Sequence, residues 1–189
     1  MRRKLDTLAL KIIHNLQKDG RASITELAEK VGSSRPTVTS RLKQLMEDEL
    51  VVIKGGLNLR KFDFETAHVG LEVKTDDTRN EVERFLKKCP RVLSVYKAPE
   101  KANFNILMWG ETPQTLNSTI ESFRDFPNVE IVYIRLLGTP IHGDIITNVE
   151  LPEGSETPCG KICSSCHMYN NKWCLGCPMT VDYKNPFIE

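Results

Sequence analysis

The sequence has 189 residues, of which 40% are hydrophobic and 27% are charged. This composition is typical of a folded globular protein and excludes a long disordered or collagen-like chain. No apolar stretch approaches the roughly 20 residues that span a bilayer, and the basic start of the chain is not followed by the apolar segment of a signal peptide. We therefore expect a cytoplasmic protein with no membrane partner.

Charge is divided unevenly along the chain, although the net value is only +1. The first 61 residues carry 13 Lys and Arg against 7 Asp and Glu, whereas the remainder carries 13 against 18. A basic segment on a nearly neutral protein is typical of a module that faces nucleic acid. The alternative is a basic face that is merely solvated.

The first third of the chain predicts three helices. Apolar residues recur at helical spacing over residues 4–18, and Gly20 is expected to end this helix. Ser23 is expected to cap a second helix, where Glu26 completes a capping box and Gly32 marks the end. A short helix, a tight turn and a third helix make the order of a helix-turn-helix.

The third helix is predicted to begin after Ser34 and to run to about Asp48, with Val38, Leu42 and Leu45 on a buried face. Such helices enter the major groove of DNA by their N-terminal residues, and a helix N-terminus favours phosphate. The candidate DNA-binding residues are Ser34, Arg35, Thr37, Ser40, Arg41, Lys43 and Gln44, with Arg35, Thr37 and Ser40 nearest the base edges. The alternative is a three-helix bundle that binds protein.

Four stretches of this segment resemble the Lrp/AsnC (feast/famine) transcriptional regulators: residues 5–6, 12–23, 26–34 and 37–42. The resemblance implies a sequence-specific regulator that binds double-stranded DNA as a homodimer or higher homo-oligomer, and not an enzyme. One departure is Glu49, where the family usually has Gly before its first short strand. We assign the DNA-binding domain to residues 1–50.

Residues 51–59 are β-prone around a Gly55-Gly56 break and predict a strand and hinge, within a β-strand linker that we assign to residues 51–67. Residues 68–143 then follow the order β-α-β-β-α-β, which predicts a ferredoxin-like domain. Its strands are expected at residues 69–74, 92–96, 104–109 and 129–137, and its helices from Asp76 or Asp77 and from Thr112. Because so small a domain has a thin core, oligomerisation is expected to cover the free face of the sheet and to bury the uncharged runs 92–96 and 131–134 on both sides.

The order of elements again resembles the effector domain of Lrp/AsnC regulators. In that family amino-acid binding depends on a Gly-x-aromatic-Asp segment at the subunit interface, and the best match here is Ala102, Asn103, Phe104 and Asn105. Asn105 can hydrogen-bond a ligand, but it lacks the charge-assisted contact that Asp makes with an ammonium group. These four residues are the candidate site of a small-molecule effector. Some relatives of the fold act on tetrapyrroles, but the pocket His and Arg residues that such an enzyme needs are not evident here.

Residues 144–158 predict a polar linker, and residues 159–189 a separate cysteine-rich tail. In a chain without an export signal, clustered thiols indicate metal or redox ligands before disulfides. The tail is too short for a core of its own, so a bound metal would decide whether it folds. The candidate ligands are Cys159, Cys163, Cys166, Cys174 and Cys177.

Two Cys-x2-Cys pairs can surround one tetrahedral ion, so zinc held by the last four cysteines is our first prediction. An iron–sulfur cluster is the alternative, since the Cys-x3-Cys-x2-Cys run is a cluster-holding spacing and Cys followed by Pro occurs in ferredoxins. A disulfide or thiol switch is the third possibility. Cys89, outside the tail, is expected to be a half-buried thiol at a helix end.

The sequence thus predicts an α+β protein with a winged or helix-turn-helix domain, a ferredoxin-like effector and oligomerisation domain, and a short metal-binding tail. The predicted function is a DNA-binding transcriptional regulator whose tail responds to metal or redox state. An amino-acid-responsive regulator with a purely structural zinc tail is the alternative. A tetrapyrrole-acting enzyme on the same scaffold is the third interpretation.

Overall fold

The computed structural model describes residues 4–188. It divides into two compact units, Met1–Gly55 and Gly56–Glu189. The division falls at the Gly55-Gly56 pair, where the sequence predicts a break. Within the described residues, no helix has the length and apolar character needed to cross a membrane.

Three helices make up the first unit: α1 (Thr7–Lys18), α2 (Ile24–Val31) and α3 (Arg35–Glu47). The predicted capping box of α2 is confirmed, because the Glu26 N–H donates to Ser23 Oγ at 3.2 Å and the Ser23 N–H donates to Glu26 Oε2 at 2.7 Å. Gly32 ends α2 in the left-handed conformation, with φ 68°, which glycine adopts without steric penalty. The helix-turn-helix geometry therefore follows from local capping.

The ends of α1 differ from the prediction. Asp6 accepts the Ala9 N–H at 2.8 Å and caps the helix, so the helix begins later than expected. At the other end Asp19 leaves the helix in an extended conformation, with φ −147°. Gly20 is not among the glycines of positive φ, so it does not serve as a left-handed cap.

The core of the first unit lies between its three helices. It is formed by Ala9, Ile12, Leu16, Leu27, Ala28, Val31, Val38 and Leu45. Leu42, predicted to be buried, is only half-buried and packs at the edge of this cluster. Burying one Leu or Ile side chain contributes about 1.5–3 kcal/mol, so packing of the apolar face fixes which face of α3 remains in solvent.

Glu49 forms the turn that follows α3. Its φ of 54° lies in the left-handed region. The Glu49 N–H donates to Met46 O at 3.0 Å and the Leu50 N–H to Leu45 O at 2.8 Å, which is the hydrogen-bond pattern of a helix end that normally uses glycine. A residue with a side chain is strained in this conformation.

The predicted strand over residues 51–59 is largely wrong. Only Leu57–Asn58 is a strand, β1, and it pairs antiparallel with β6 (Ile146–Thr147). The Val51 N–H instead bonds back to Leu45 O at 3.2 Å as part of the helix end. Within the described part of the first unit there is no strand with which residues 51–55 could pair.

The ferredoxin-like order is confirmed by β2 (Glu65–Val73), α4 (Asp76–Lys88), β3 (Val92–Lys97), β4 (Phe104–Gly110), α5 (Pro113–Glu121) and β5 (Val129–Leu137). The four strands form one antiparallel sheet in the order β3-β4-β2-β5. Thr75, not Asp76 or Asp77, caps α4, because Thr75 Oγ1 accepts the Thr78 N–H at 3.4 Å. The two carboxylates lie in the first turn, where the helix dipole favours negative charge.

Helices α4 and α5 pack on one face of the sheet. The core there is formed by Ala67, Val69, Leu71, Val73, Val82, Phe85, Leu86, Phe104, Ile106, Met108, Leu116, Ile120 and Phe123. The opposite face carries alternate residues of the same strands, and in the single chain Tyr96 on it is 64% exposed. The burial predicted for residues 92–96 and 131–134 on both sides is therefore not present in one chain, because no helix within residues 4–188 covers this face.

The tail is not the separate unit that the sequence predicts. It belongs to the same compact unit as the sheet and contains one short helix, α6 (His167–Asn170). Ser118 Oγ on α5 donates to Trp173 O at 2.8 Å, and Lys161 Nζ lies 2.7 Å from Asp125 Oδ2. The polar segment 144–158 is not a free linker either, since it includes β6, which ties the chain to β1.

Candidate DNA interface and cysteine cavity

Helix α3 presents most of the predicted DNA-binding residues to solvent. Ser34, Arg35, Thr37, Ser40, Lys43 and Gln44 are exposed, whereas Arg41 is half-buried. Pro36 lies in the first turn, where its fixed φ suits the helix and its missing N–H costs nothing. With the apolar face held in the core, the polar face and the helix N-terminus are free to enter a DNA groove.

Ser34 and Thr37 are partners at the start of α3. Ser34 Oγ accepts the Thr37 N–H at 3.3 Å and lies 2.7 Å from Thr37 Oγ1. The serine hydroxyl therefore caps the helix. Among the described residues Arg35 makes no ion pair, so its charge is available to DNA.

Arg41 has partners inside the protein. Its guanidinium pairs with Asp6, and its Nη1 donates to Gln44 Oε1 at 3.0 Å. Asp6 also caps α1, so one carboxylate connects the start of α1 to the middle of α3. Arg41 is one of the predicted DNA-binding residues, and its geometry shows in addition a role in joining two helices.

Two of the four candidate effector residues, 102–105, pack in the core, and the other two make polar contacts. Ala102 and Phe104 are buried, and the Asn103 side chain bonds the backbone N–H and O of Val73 at 2.9 and 3.0 Å. Asn105 donates to Ala102 O at 2.9 Å and accepts a hydrogen bond from the Tyr133 hydroxyl. Only Asn105 of the four therefore lies in a polar cluster.

That cluster lies on the open face of the sheet. The Tyr133 hydroxyl is 3.4 Å from His68 Nε2, and the His68 and Tyr133 rings meet edge to face with centroids 5.4 Å apart. The Tyr133 ring covers Gly70, where an added Cβ would lie 2.3 Å from Cε1 of the ring. The cluster offers hydroxyl, amide and imidazole groups but no carboxylate.

The five tail cysteines line one cavity, and Cys89 lines it as well. The cavity has a volume of about 60 Å³. Cys89 is the residue at which α4 ends, so the sheet domain supplies one of the six thiols. The sequence offered no signal for this, because Cys89 is 70 residues before the tail cluster begins.

Burial raises the pKa of three thiols of this cavity, those of Cys89, Cys163 and Cys177. Burial raises the pKa of Cys89 to about 12 and that of Cys177 to about 11, although the Arg91 N–H partly offsets the first shift and the Met179 N–H the second. Burial also raises the pKa of Cys163, opposed by the Cys177 N–H. Binding of a metal would therefore displace protons from these sulfurs.

The cysteine sulfurs are spread around the cavity and are not gathered at one point. Within residues 4–188, no three His, Cys, Asp or Glu side chains are close enough together to hold one metal ion. His167 is exposed and packs edge to face against Trp173, with ring centroids 6.4 Å apart.

A buried ion pair joins the tail to the sheet domain. Arg91 Nε donates to Glu111 Oε2 and Arg91 Nη2 donates to Glu111 Oε1, both at 2.9 Å. Arg91 Nη2 also donates to Gly176 O at 2.6 Å, and the Tyr183 hydroxyl donates to Glu111 Oε1 at 2.7 Å. Burial alone would lower the pKa of Arg91, but the Glu111 carboxylate raises it, so the guanidinium stays charged.

Gly176 is the position that allows this contact. Its φ is 89°, and an added Cβ would lie 2.8 Å from Asp182 O. Glycine is therefore required between Cys174 and Cys177, where the chain turns tightly and its carbonyl meets Arg91.

Known proteins resemble both the module and the whole fold. Residues 5–52 match a family model described as winged helix-turn-helix DNA-binding. The chain is 29% identical over 132 residues to the leucine-responsive regulatory protein of Rhizobium meliloti, covering 67% of this chain and 79% of that protein.

Two solved structures share the fold. The structure of LrpC from B. subtilis matches with a TM-score of 0.63 and 22% identity, covering 74% of this chain and 99% of that one. The feast or famine regulatory protein from M. tuberculosis complexed with L-methionine matches with a TM-score of 0.63 and 21% identity, covering 74% and 96%.

The matched module, the exposed face of α3 and the shared fold define a winged helix-turn-helix protein with a ferredoxin-like sheet domain. The chain is a DNA-binding transcriptional regulator, and it is similar to regulators of the Lrp type.

Proposed function

We propose that the protein acts on DNA as a dimer or larger assembly and that the cysteine cavity controls this activity. The observation that carries the proposal is the convergence of six thiols on one cavity at the junction of tail and sheet domain. A metal centre there would touch both parts at once. Its loss or oxidation would shift the population between assemblies that bind DNA and assemblies that do not.

Dimer formation is supported by the open face of the sheet. It bears Tyr96, which is 64% exposed, and no helix of the described chain covers it. Two copies packed through this face would carry two α3 helices. Helix-turn-helix dimers bind half-sites about one helical turn, 34–36 Å, apart, so we expect an operator with approximate two-fold symmetry.

The expected ligand of the cavity is zinc or an iron–sulfur cluster, and a disulfide or thiol switch without metal is the third possibility. The donors in either case would come from Cys159, Cys163, Cys166, Cys174 and Cys177. Thiolates suit both, and the ion would supply the binding free energy that a small apolar tail lacks. The ion pair of Arg91 with Glu111 would carry a change at the cavity into the sheet domain, since Gly176 O is bound to the same guanidinium.

A second candidate is control by an amino acid with a purely structural metal in the tail. The relative from M. tuberculosis binds L-methionine, and the polar cluster of Asn105, Tyr133 and His68 supports a ligand site on the open face. The absence of a carboxylate among these three side chains weakens it, because an ammonium group would lack a charged partner.

The experiment compares DNA binding in three states of the full chain. An operator is first selected from random DNA, and its affinity is then measured for the protein as purified anaerobically, after removal of metal, and with added L-methionine or L-leucine. A change of at least tenfold on metal removal supports cavity control. Unchanged affinity on metal removal, with a response to an amino acid, would instead support the second candidate.

A further inference from the structure

We propose that the cavity binds an iron–sulfur cluster and that Cys89 of the sheet domain is one of its ligands, together with tail cysteines. This inference rests on the proposed function, because it names the ligand of the same cavity. It also adds a residue that the tail spacing does not contain. The cluster would thus join the tail to the sheet domain through covalent metal–sulfur bonds.

Cys89 is held in place by a rigid corner of the sheet domain. Its N–H donates to Phe85 O in the last turn of α4, and its own carbonyl accepts the Val92 N–H, each at 3.0 Å. Pro90 follows directly and fixes one backbone angle. Cys89 lines the same cavity as the five tail cysteines.

The second Cys-x2-Cys pair is fixed against the same corner. Gly176 lies between Cys174 and Cys177, and its carbonyl oxygen receives a hydrogen bond from Arg91 at 2.6 Å. Arg91 is two residues from Cys89 and is itself held by both oxygens of Glu111. One buried ion pair therefore positions thiols from both parts of the chain around the cavity.

The spread of the sulfurs favours a cluster over a single ion. Four thiolates at about 2.3 Å from one zinc are in mutual contact and leave no free space between them. Here six cysteines line a cavity that still holds about 60 Å³ of free space, and no three metal-binding side chains of the described residues are close enough to share an ion. In an iron–sulfur cluster each iron binds its own cysteine thiolate, so the cysteine sulfurs lie apart around the iron–sulfide core.

The positive charges at the cavity suit an iron–sulfur cluster. A cluster with four thiolate ligands is an anion, and Arg91 and Lys161 both line the cavity. Lys161 is paired with Asp125 at 2.7 Å and Arg91 with Glu111, so both cations are held in position. Cations and N–H groups around the sulfurs are the features by which proteins tune cluster potentials.

The first measurement is the iron, sulfide and zinc content of the full chain purified without oxygen, with its visible spectrum. We expect iron and acid-labile sulfide in equal amounts and a broad band near roughly 400 nm. Zinc without sulfide would overturn the cluster while leaving metal control of DNA binding intact. A protein with neither metal nor sulfide would overturn both proposals.

The role of Cys89 is tested by Cys89→Ser, with Val92→Ala as a control that disturbs the same corner without removing a sulfur. We expect Cys89→Ser to lose most of its iron, or to keep it with a shifted visible band, while Val92→Ala retains iron and spectrum. Full iron content and an unchanged band in Cys89→Ser would overturn ligation by Cys89. Loss of iron in Val92→Ala as well would show that stability of the corner alone is responsible.

Discussion

Arg91 and Glu111 form a two-pronged ion pair that is almost completely buried, with the side chains 5% and 0% exposed. The pair is the centre of a network, since Arg91 also binds Gly176 O and Glu111 also accepts from Tyr183. Arg91 precedes β3 and Glu111 follows β4, so the sheet domain supplies both ions while the tail supplies both further partners. The tail is thereby held by charge and hydrogen bonds where its own apolar core is insufficient.

Breaking this pair should destabilise the second unit strongly. Glu111→Leu leaves a buried guanidinium unpaired, and such a change lowers the free energy of unfolding by about 3–5 kcal/mol. Urea unfolding of the purified chain measures the effect. The double variant Arg91→Met with Glu111→Leu should lose less free energy of unfolding than Glu111→Leu alone. As a control, Glu121→Gln removes the partner of Arg124 in an exposed ion pair and should change the free energy of unfolding little. A double variant as unstable as the sum of its parts would contradict the coupling.

Replacing Glu49 by glycine should stabilise the first unit. Glu49 has φ 54° in a helix end whose hydrogen bonds are already formed, and removing the side chain relieves a strain of about 1 kcal/mol. The gain is partly offset by the larger entropy of glycine in the unfolded chain, so the net rise should be about 0.5 kcal/mol. Thermal unfolding followed by circular dichroism measures it. Glu49→Ala keeps the Cβ and should bring no such gain.

Arg35→Ala should weaken specific DNA binding by about 1–3 kcal/mol and relax specificity at one base pair. Arg35 is exposed at the start of α3 and makes no ion pair among the described residues. Lys43→Ala is the control, because Lys43 lies farther along α3 from the N-terminus that enters the groove, where we expect its charge to meet the DNA backbone. That variant should weaken binding to all sequences alike and lower its salt dependence. An Arg35→Ala protein with unaltered affinity and specificity would exclude the base contact.

Arg41→Ala should affect folding as well as DNA binding. Its guanidinium is paired with Asp6, and the same carboxylate caps α1. A partly exposed ion pair of this kind contributes up to about 1 kcal/mol. Comparing thermal unfolding of Arg41→Ala and Lys43→Ala separates the two roles, since only the former should lower the melting temperature. Equal melting temperatures would leave DNA contact as the sole function of Arg41.

The metal-free, reduced protein should lose stability as the pH rises above about 9. Burial raises the pKa of Cys177 from an ordinary value of 9.0 to about 11 and that of Cys89 to about 12. In this range the unfolded thiols release protons that the folded ones retain, so the unfolded state binds fewer protons and the free energy of unfolding falls. Tyr183, whose pKa is raised chiefly by burial, acts in the same direction. Urea midpoints at about pH 8 and pH 10 measure the fall, which should be smaller in Cys89→Ser.

Replacing Cys174 and Cys177 by Ser should release the metal and loosen the tail. Both thiols line the cavity, and the turn between them carries Gly176. Metal content and limited proteolysis measure the two effects. Ser164→Ala, at an exposed position of the tail, is the control and should retain both metal and protease resistance. A double serine variant with its full metal content would show that other residues hold the ion.

Local sequence patterns were sufficient to predict most of the helices and strands. The capping box of Ser23 and Glu26 and the apolar periods of the helices predicted the helix-turn-helix order, and the alternation of strands and helices predicted the sheet domain. These features depend on residues three or four positions apart, which the sequence displays directly. The predicted strand after Val51 failed for the opposite reason, since a β-prone run becomes a strand only where a partner strand lies beside it.

The sequence by itself determined the class of the protein, the face of α3 that meets solvent and the presence of a thiol-rich tail. The tertiary structure alone decided that the tail packs on the sheet domain, that Arg91 and Glu111 hold it there, and that Cys89 joins the tail cysteines. Contacts between residues 20 to 85 positions apart depend on how helices and strands pack, and no spacing along the chain records them. A buried charge or thiol is recognisable as part of a site only when its partners are seen around it.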